Sequence, residues 1–99
     1  MDISASELKK RYQDARTVNV IDVREELEFH SFNIGGANIP LGKLSRCLDD
    51  LDFDQDDELI VICQHGLRSK TAMQLLQAYG FSNVKNLTGG LLAWRKANL

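Results

Sequence analysis

Leu59-Ile60-Val61-Ile62-Cys63-Gln64-His65-Gly66-Leu67-Arg68-Ser69 is the stretch from which the fold can be read. Its first four residues are a short, continuous apolar run, mostly β-branched, as in a strand buried on both faces. From Ser69 to Tyr79 the pattern changes. Ala72, Leu75, Leu76 and Tyr79 follow the i, i+3, i+4, i+7 stripe of a helix, and Gly80 is a natural left-handed stop. Cys63 therefore stands where a strand gives way to a helix, with unpaired backbone N–H groups and the positive end of the helix dipole converging on it. A thiolate is stabilised in such a place, and its pKa can fall from about 8.5 to roughly 3.5–7.5.

Working outward, Ser4-Ala5-Ser6-Glu7 fits a capping box that opens a helix with Leu8, Tyr12 and Ala15 turned inward. Val18–Val23 reads as a strand interrupted by Asn19 and Asp22, and Arg24–Ser31 as a short helix. Ile34–Pro40 is a glycine-marked turn into a short extended segment that Pro40 closes. Leu41, Leu44, Leu48 and Leu51 predict a further helix containing Cys47, and Val84–Leu87 a last strand. Gly89-Gly90 turns the chain into a closing helix through Leu91, Leu92 and Trp94. Strands alternating with helices over short connections predict a parallel sheet covered on both faces, with the ligand site outside the carboxyl ends of the strands.

The chain has 99 residues, and 1–99 reads as a single domain with one modest core. A net charge of −2 speaks against nucleic acid as the main partner. No secretory signal is visible at the N-terminus, and the longest apolar run is far too short to cross a bilayer. Two cysteines make no disulfide framework, so the reading is a cytoplasmic protein with one reactive thiol. Charge is uneven: between Asp49 and Glu58, seven of ten residues are acidic and none is basic. The bland account of that run is a solvated connection; the functional one is a docking patch for a basic partner.

A loop of this length can curl so that the N–H groups of Gln64, His65, Gly66, Leu67, Arg68 and Ser69 point inward as an anion-binding nest. Gly66 permits the left-handed backbone or close approach this requires. Arg68 adds a cation at the rim, and Ser69 can cap the next helix and supply a hydroxyl. The nest suits a thiolate, and suits better an anion one atom longer, such as a persulfide.

These residues resemble a known family. Cys63-x-x-Gly66-x-Arg68-Ser69 after a buried strand is similar to the active-site loop of the rhodanese family of sulfurtransferases. Ile21-Asp22-Val23-Arg24, Glu28-Phe29 and Ile34–Pro40 resemble its first signature; Gly80-Phe81, Val84, Leu87-x-Gly89-Gly90 and Trp94 resemble its closing one. The resemblance covers nearly the whole chain. It implies a rhodanese-like α/β fold, a doubly wound parallel sheet of about five strands with helices on both faces. It also implies a two-step sulfur transfer with Cys63 as nucleophile, Arg68 as its cationic partner, and Gln64, His65, Gly66, Leu67 and Ser69 binding substrate. The donor would be a small anion such as thiosulfate or a persulfide, and the acceptor a thiophile, among them a thiol or a sulfur-carrier protein. Neither a metal nor an organic cofactor is implied.

Two other functions fit parts of the pattern. Cysteine-dependent phosphatases and arsenate reductases also set a thiolate in a nest with an arginine, but phosphatases typically place five residues between them, and this chain has four. A sulfur relay or redox-sensing module would use the same Cys63 without rapid turnover. His65 is either a substrate-steering or proton-donating group or a plain exposed side chain. Cys47 reads as a packing or surface residue. Asp22 and Arg24 read as structural support near the site, and Trp94 as core.

Overall fold

The computed structural model describes residues 1–98. Five strands, β1 (Asp2–Ile3), β2 (Val20–Asp22), β3 (Ala37–Asn38), β4 (Glu58–Ile62) and β5 (Asn83–Leu87), form one sheet in the order β1-β5-β4-β2-β3. Every pairing is parallel. The helices are α1 (Ala5–Gln13), α2 (Glu26–Ser31), α3 (Leu41–Leu44), α4 (Leu67–Ala78) and α5 (Gly90–Ala97), with a 3-10 helix at Leu48–Asp50. Both faces of the sheet are covered. On one, Leu59, Val61 and Cys63 pack with Ala72, Met73 and Leu76 of α4; on the other, Ile60 and Ile62 pack with Leu8 of α1 and Leu91 of α5. The fold is the doubly wound α/β sheet expected from the alternation of strands and helices.

The site follows from the topology. From β2 the chain moves outward to β3, and from β4 it moves outward the other way to β5. Parallel crossovers are right-handed, so the sheet has a switch point between β2 and β4, and a crevice opens beyond their carboxyl ends. Cys63 follows β4 there, and Val23-Arg24 follow β2, with Asp22 in register with Ile62.

Several local expectations need correction. The helix predicted through Leu41, Leu44, Leu48 and Leu51 is two short pieces, with Cys47 leaving helical geometry between them (φ −125°, ψ 21°) and leading into the 3-10 helix. Only Leu44 of the four leucines is fully buried. In α4 the inward face is Ser69, Ala72, Met73 and Leu76, whereas Leu75 is half-buried and Tyr79 is exposed, stacking on Phe81. The helix also begins two residues earlier, at Leu67, with Gly66 as N-cap (φ 96°), so Ser69 lies in the first turn and is not the cap. At the end of α1 Ala15 and Tyr12 are exposed; the Tyr12 hydroxyl donates to the Ile34 carbonyl (3.2 Å) and its ring meets Trp94 edge-on. Ser4 does cap α1, accepting from the Glu7 amide at 3.1 Å. Trp94 is half-buried and lines a cavity of about 310 Å³ with Phe32, Arg95 and Asn98.

Candidate active site

Cys63 is 1 % exposed, and its sulfur is the centre of a small cage. The amides of Gly66 and Ser69 donate to Sγ at 3.1 and 3.3 Å, and the Ser69 hydroxyl lies 3.3 Å away. Burial pushes the thiol pKa up, but the Ser69 hydroxyl and the amides of Ser69, Gly66 and His65 outweigh it, so the thiol is held below its ordinary value. An unpaired thiolate this deeply buried would be costly; here the first turn of α4 supplies donors that no other part of the helix needs.

The loop curls because its carbonyls are held from behind. The first amides of α5, Leu91 and Leu92, donate to the carbonyls of Cys63 (2.9 Å) and Gln64 (3.1 Å). The side-chain amide of Asn86 donates to the carbonyl of Gly66 (3.2 Å). In a trans peptide the N–H points opposite to the C=O, so anchoring these three carbonyls turns the amides of Gln64, His65 and Leu67 the other way. Gly66 adopts φ 96°, a region that disfavours any side chain.

The residues predicted for the site share this loop but not the same surroundings. Gly66 and Ser69 are buried, Gln64 and Arg68 are half-buried, and His65 and Leu67 are exposed. Among the described residues, the side chains of Gln64, His65 and Leu67 make no hydrogen bond to the sulfur; the contribution of this stretch is its backbone. Arg68 is not a free cation at the rim. Its guanidinium forms a two-pronged pair with Glu28 of α2, at 2.6 and 2.9 Å. These hydrogen bonds hold the Glu28 carboxyl down at about 2, with burial opposing. The pair spans the crevice and ties α2 to the first turn of α4. Beneath it, Asp22 and Arg24 form a buried ion pair (Arg24 Nη2 to Asp22 Oδ2, 2.8 Å), and Arg24 also donates to the carbonyls of Phe32 (2.6 Å) and Glu28 (3.2 Å). Arg24 thereby ties the middle and the C-terminal end of α2 to Asp22, as the supporting reading of that pair expects.

Sequence reasoning did not single out Glu28 or Asn86 as members of this site. Glu28 is 40 positions from Arg68 and Asn86 is 17 from Ser69. The one local signal is a polar residue inside the strand that runs to Leu87.

Comparison with known proteins agrees with the geometry. The family model described as rhodanese-like domain matches residues 4–97. The chain belongs to the rhodanese-like domain family. This rhodanese-like chain is 36 % identical over 86 residues to the protein named thiosulfate sulfurtransferase GlpE of Shewanella oneidensis, covering 86 % of this chain and 83 % of that one. It is 32 % identical to the putative sulfur carrier protein YrkF of Bacillus subtilis, covering 94 % of this chain but only half of that protein. Its fold superposes on the human single-domain sulfurtransferase TSTD1 with a TM-score of 0.84 at 28 % identity, covering 96 % of this chain and 95 % of the other.

Proposed function

We propose that this rhodanese-like domain is a sulfurtransferase that carries sulfane sulfur on Cys63. The observation that carries the reading is the sulfur cage, the amides of Gly66 and Ser69 donating to one buried Sγ with the Ser69 hydroxyl 3.3 Å from it. The names of the relatives, a thiosulfate sulfurtransferase and a sulfur carrier, support sulfur as the cargo. In the first step the Cys63 thiolate attacks the outer sulfur of thiosulfate. The new S–S bond forms as the old one breaks, and the electron pair leaves with sulfite, giving Cys63–S–S⁻. In the second step a nucleophile such as cyanide or a thiolate attacks the outer sulfur, and the electron pair returns to Cys63. Each step conserves charge and needs neither metal nor oxidant. The outer sulfur would lie about one bond length further towards the crevice, near the outward-turned amides and Arg68, where its charge is stabilised.

The named sulfur carrier favours a second reading in which the same persulfide forms but is released slowly to a protein acceptor. Intact-mass spectrometry after incubation with thiosulfate tests what both share: one added sulfur, absent in Cys63→Ser. No added sulfur would overturn both. The rate of thiocyanate formation then separates enzyme from carrier. Phosphate release from an aryl phosphate, lost in Cys63→Ser, would move the domain to phosphatase chemistry instead.

A further inference from the structure

The Ser69 hydroxyl has one proton and two claimants. It lies 3.3 Å from Cys63 Sγ, and it forms a short hydrogen bond with Oδ1 of Asn86. The orientation of the Asn86 amide is settled by its other end, because the Gly66 carbonyl can only accept and so must face the NH₂ group (3.2 Å). Oδ1 consequently faces Ser69, and an amide oxygen carries no hydrogen. The proton between Ser69 and Asn86 can come only from the serine. All three side chains are buried, so no bulk water competes for these positions.

We propose that Asn86 is a positioning residue that turns the single Ser69 proton away from Cys63, so that the hydroxyl accepts from the thiol and must rotate to serve the thiolate. In the resting thiol the chain runs Cys63 S–H to Ser69 Oγ, and Ser69 O–H to Asn86 Oδ1. When the thiol proton leaves to solvent, the serine lone pairs face a negative sulfur, and the hydroxyl swings towards it, leaving Oδ1 without a donor. When the charge moves to the outer sulfur of a persulfide, Sγ becomes a neutral atom bonded on both sides and the hydroxyl returns to Asn86. The device raises the bare thiolate relative to both thiol and persulfide: fewer empty sites are ionised, which discourages side reactions, and each thiolate that forms passes its charge to the outer sulfur more readily. Only that last consequence rests on the sulfurtransferase reading; the titration itself does not.

The other titratable or charged groups around Cys63 are Arg68 in α4 with its partner Glu28 in α2, the Asp22–Arg24 pair at the carboxyl end of β2, and His65 in the loop. The residues of β5 and α5 that bond to this stretch, Asn86 through its side chain and Leu91 and Leu92 through their amides, carry no titratable group. A double-mutant cycle separates the hydroxyl from these groups and from the Gly66 anchor. In a Cys47→Ser background, the pH profile of iodoacetamide alkylation is measured for the wild-type site, Asn86→Leu, Ser69→Ala and the double variant. Loss of the Gly66 anchor acts in both backgrounds, so the cycle reads the difference: the effect of Asn86→Leu on the Cys63 midpoint is expected to be about one unit more downward with Ser69 present than with Ser69 replaced by Ala, a tenfold change in the thiolate-to-thiol ratio. A difference of zero or of the opposite sign would overturn the proposal. Should Asn86→Leu not fold, the Asn86 side-chain carbonyl ¹³C resonance reports on the intact protein. It should titrate with Cys63, stay still in Ser69→Ala, and return to its low-pH position on persulfide loading. A resonance indifferent to Cys63 ionisation, or one that titrates equally in Ser69→Ala, would also sink it.

Discussion

Gly90 shows how finely single residues set the sulfur cage. It has φ +63°, and a Cβ there would lie 2.5 Å from the carbonyl oxygens of both Cys63 and Gln64. Those oxygens are the ones that α5 holds to turn the loop amides over. Gly90→Ala is therefore expected to cost roughly 2–4 kcal/mol, from the left-handed backbone and the overlap together, and to raise the Cys63 midpoint as the cage loosens. Gly35→Ala is the control: φ is +92° but nothing lies within 4 Å of the added carbon, so only the backbone strain of about 1–2 kcal/mol should appear. Urea unfolding and alkylation profiles check both; equal losses in the two variants would refute the overlap argument. Cys63 itself gives a pH signature. Its folded pKa lies below the unfolded value, so folding gains stability as pH rises from the folded pKa to about 8.5, keeps it above, and loses it as pH falls through the folded pKa. Relative to Cys63→Ala, the wild-type protein should become more stable as pH rises towards the ordinary thiol pKa of about 8.5. A flat or falling difference would mean that the cage does not stabilise the thiolate.

At the scale of elements, the Glu28–Arg68 pair closes the crevice between α2 and α4. With Glu28 held down at about 2, its carboxylate stays charged throughout any practical assay and continuously opposes the Arg68 charge seen by an anionic donor. Arg68→Ala should raise KM for thiosulfate about tenfold or more, the scale of one charge-assisted hydrogen bond, and affect an uncharged persulfide donor less. Glu28→Gln should shift thiosulfate KM the opposite way. Its loss should hardly change stability near neutral pH, because both side chains are more than one-third exposed and solvent screens the pair. Steady-state kinetics with both donors decide this, and an equal effect of Arg68→Ala on charged and uncharged donors would remove Arg68 from donor recognition. The same pair shows where sequence reading stops. The strand, turn and helix around Cys63 are legible because their chemistry is local: a β-branched run, a permissive glycine, a serine in the first helical turn. Glu28 and Asn86 reach the site only through the β2–β4 and β4–β5 pairings, which no spacing along the chain announces. The leucines at 41, 44, 48 and 51 mislead for the same reason. Leu41, Leu48 and Leu51 are only partly buried against the α4 side of the core, so they keep a helical spacing without a continuous helix. The buried face of α4 is rotated from the stripe of Ala72, Leu75, Leu76 and Tyr79: Met73 turns inward and Tyr79 lies on the surface.

For the molecule as a whole, the decisive electrostatic question is whether the acidic run 49–58 acts on the chemistry. Its last member does structural service: Glu58 pairs with Arg11 of α1 and Lys85 of β5. Around Gln55 the run lies at the opposite end of the sheet from the sulfur. Cys63 follows the carboxyl end of β4, whereas Glu58 begins that strand. Gln55 sits against Gly80, beyond the end of α4 remote from Cys63, and its carbonyl accepts from the Ser82 amide at 2.8 Å. Five strand residues or a twelve-residue helix separate the two ends by roughly 15–18 Å, about twice the Debye length of about 8 Å at physiological salt. A partner docked on the run around Gln55 would have to reach around the domain to meet Cys63. Replacing Asp52, Asp54 and Asp56 by Asn should therefore change kcat/KM for thiosulfate by less than about twofold at 0.15 M salt, with a larger rise only at low ionic strength as the field repelling anions weakens. Measuring the variant and the wild-type protein across ionic strength checks this. A change of tenfold or more that persists at 0.15 M salt would show the acidic run coupled to the sulfur by something other than its charge.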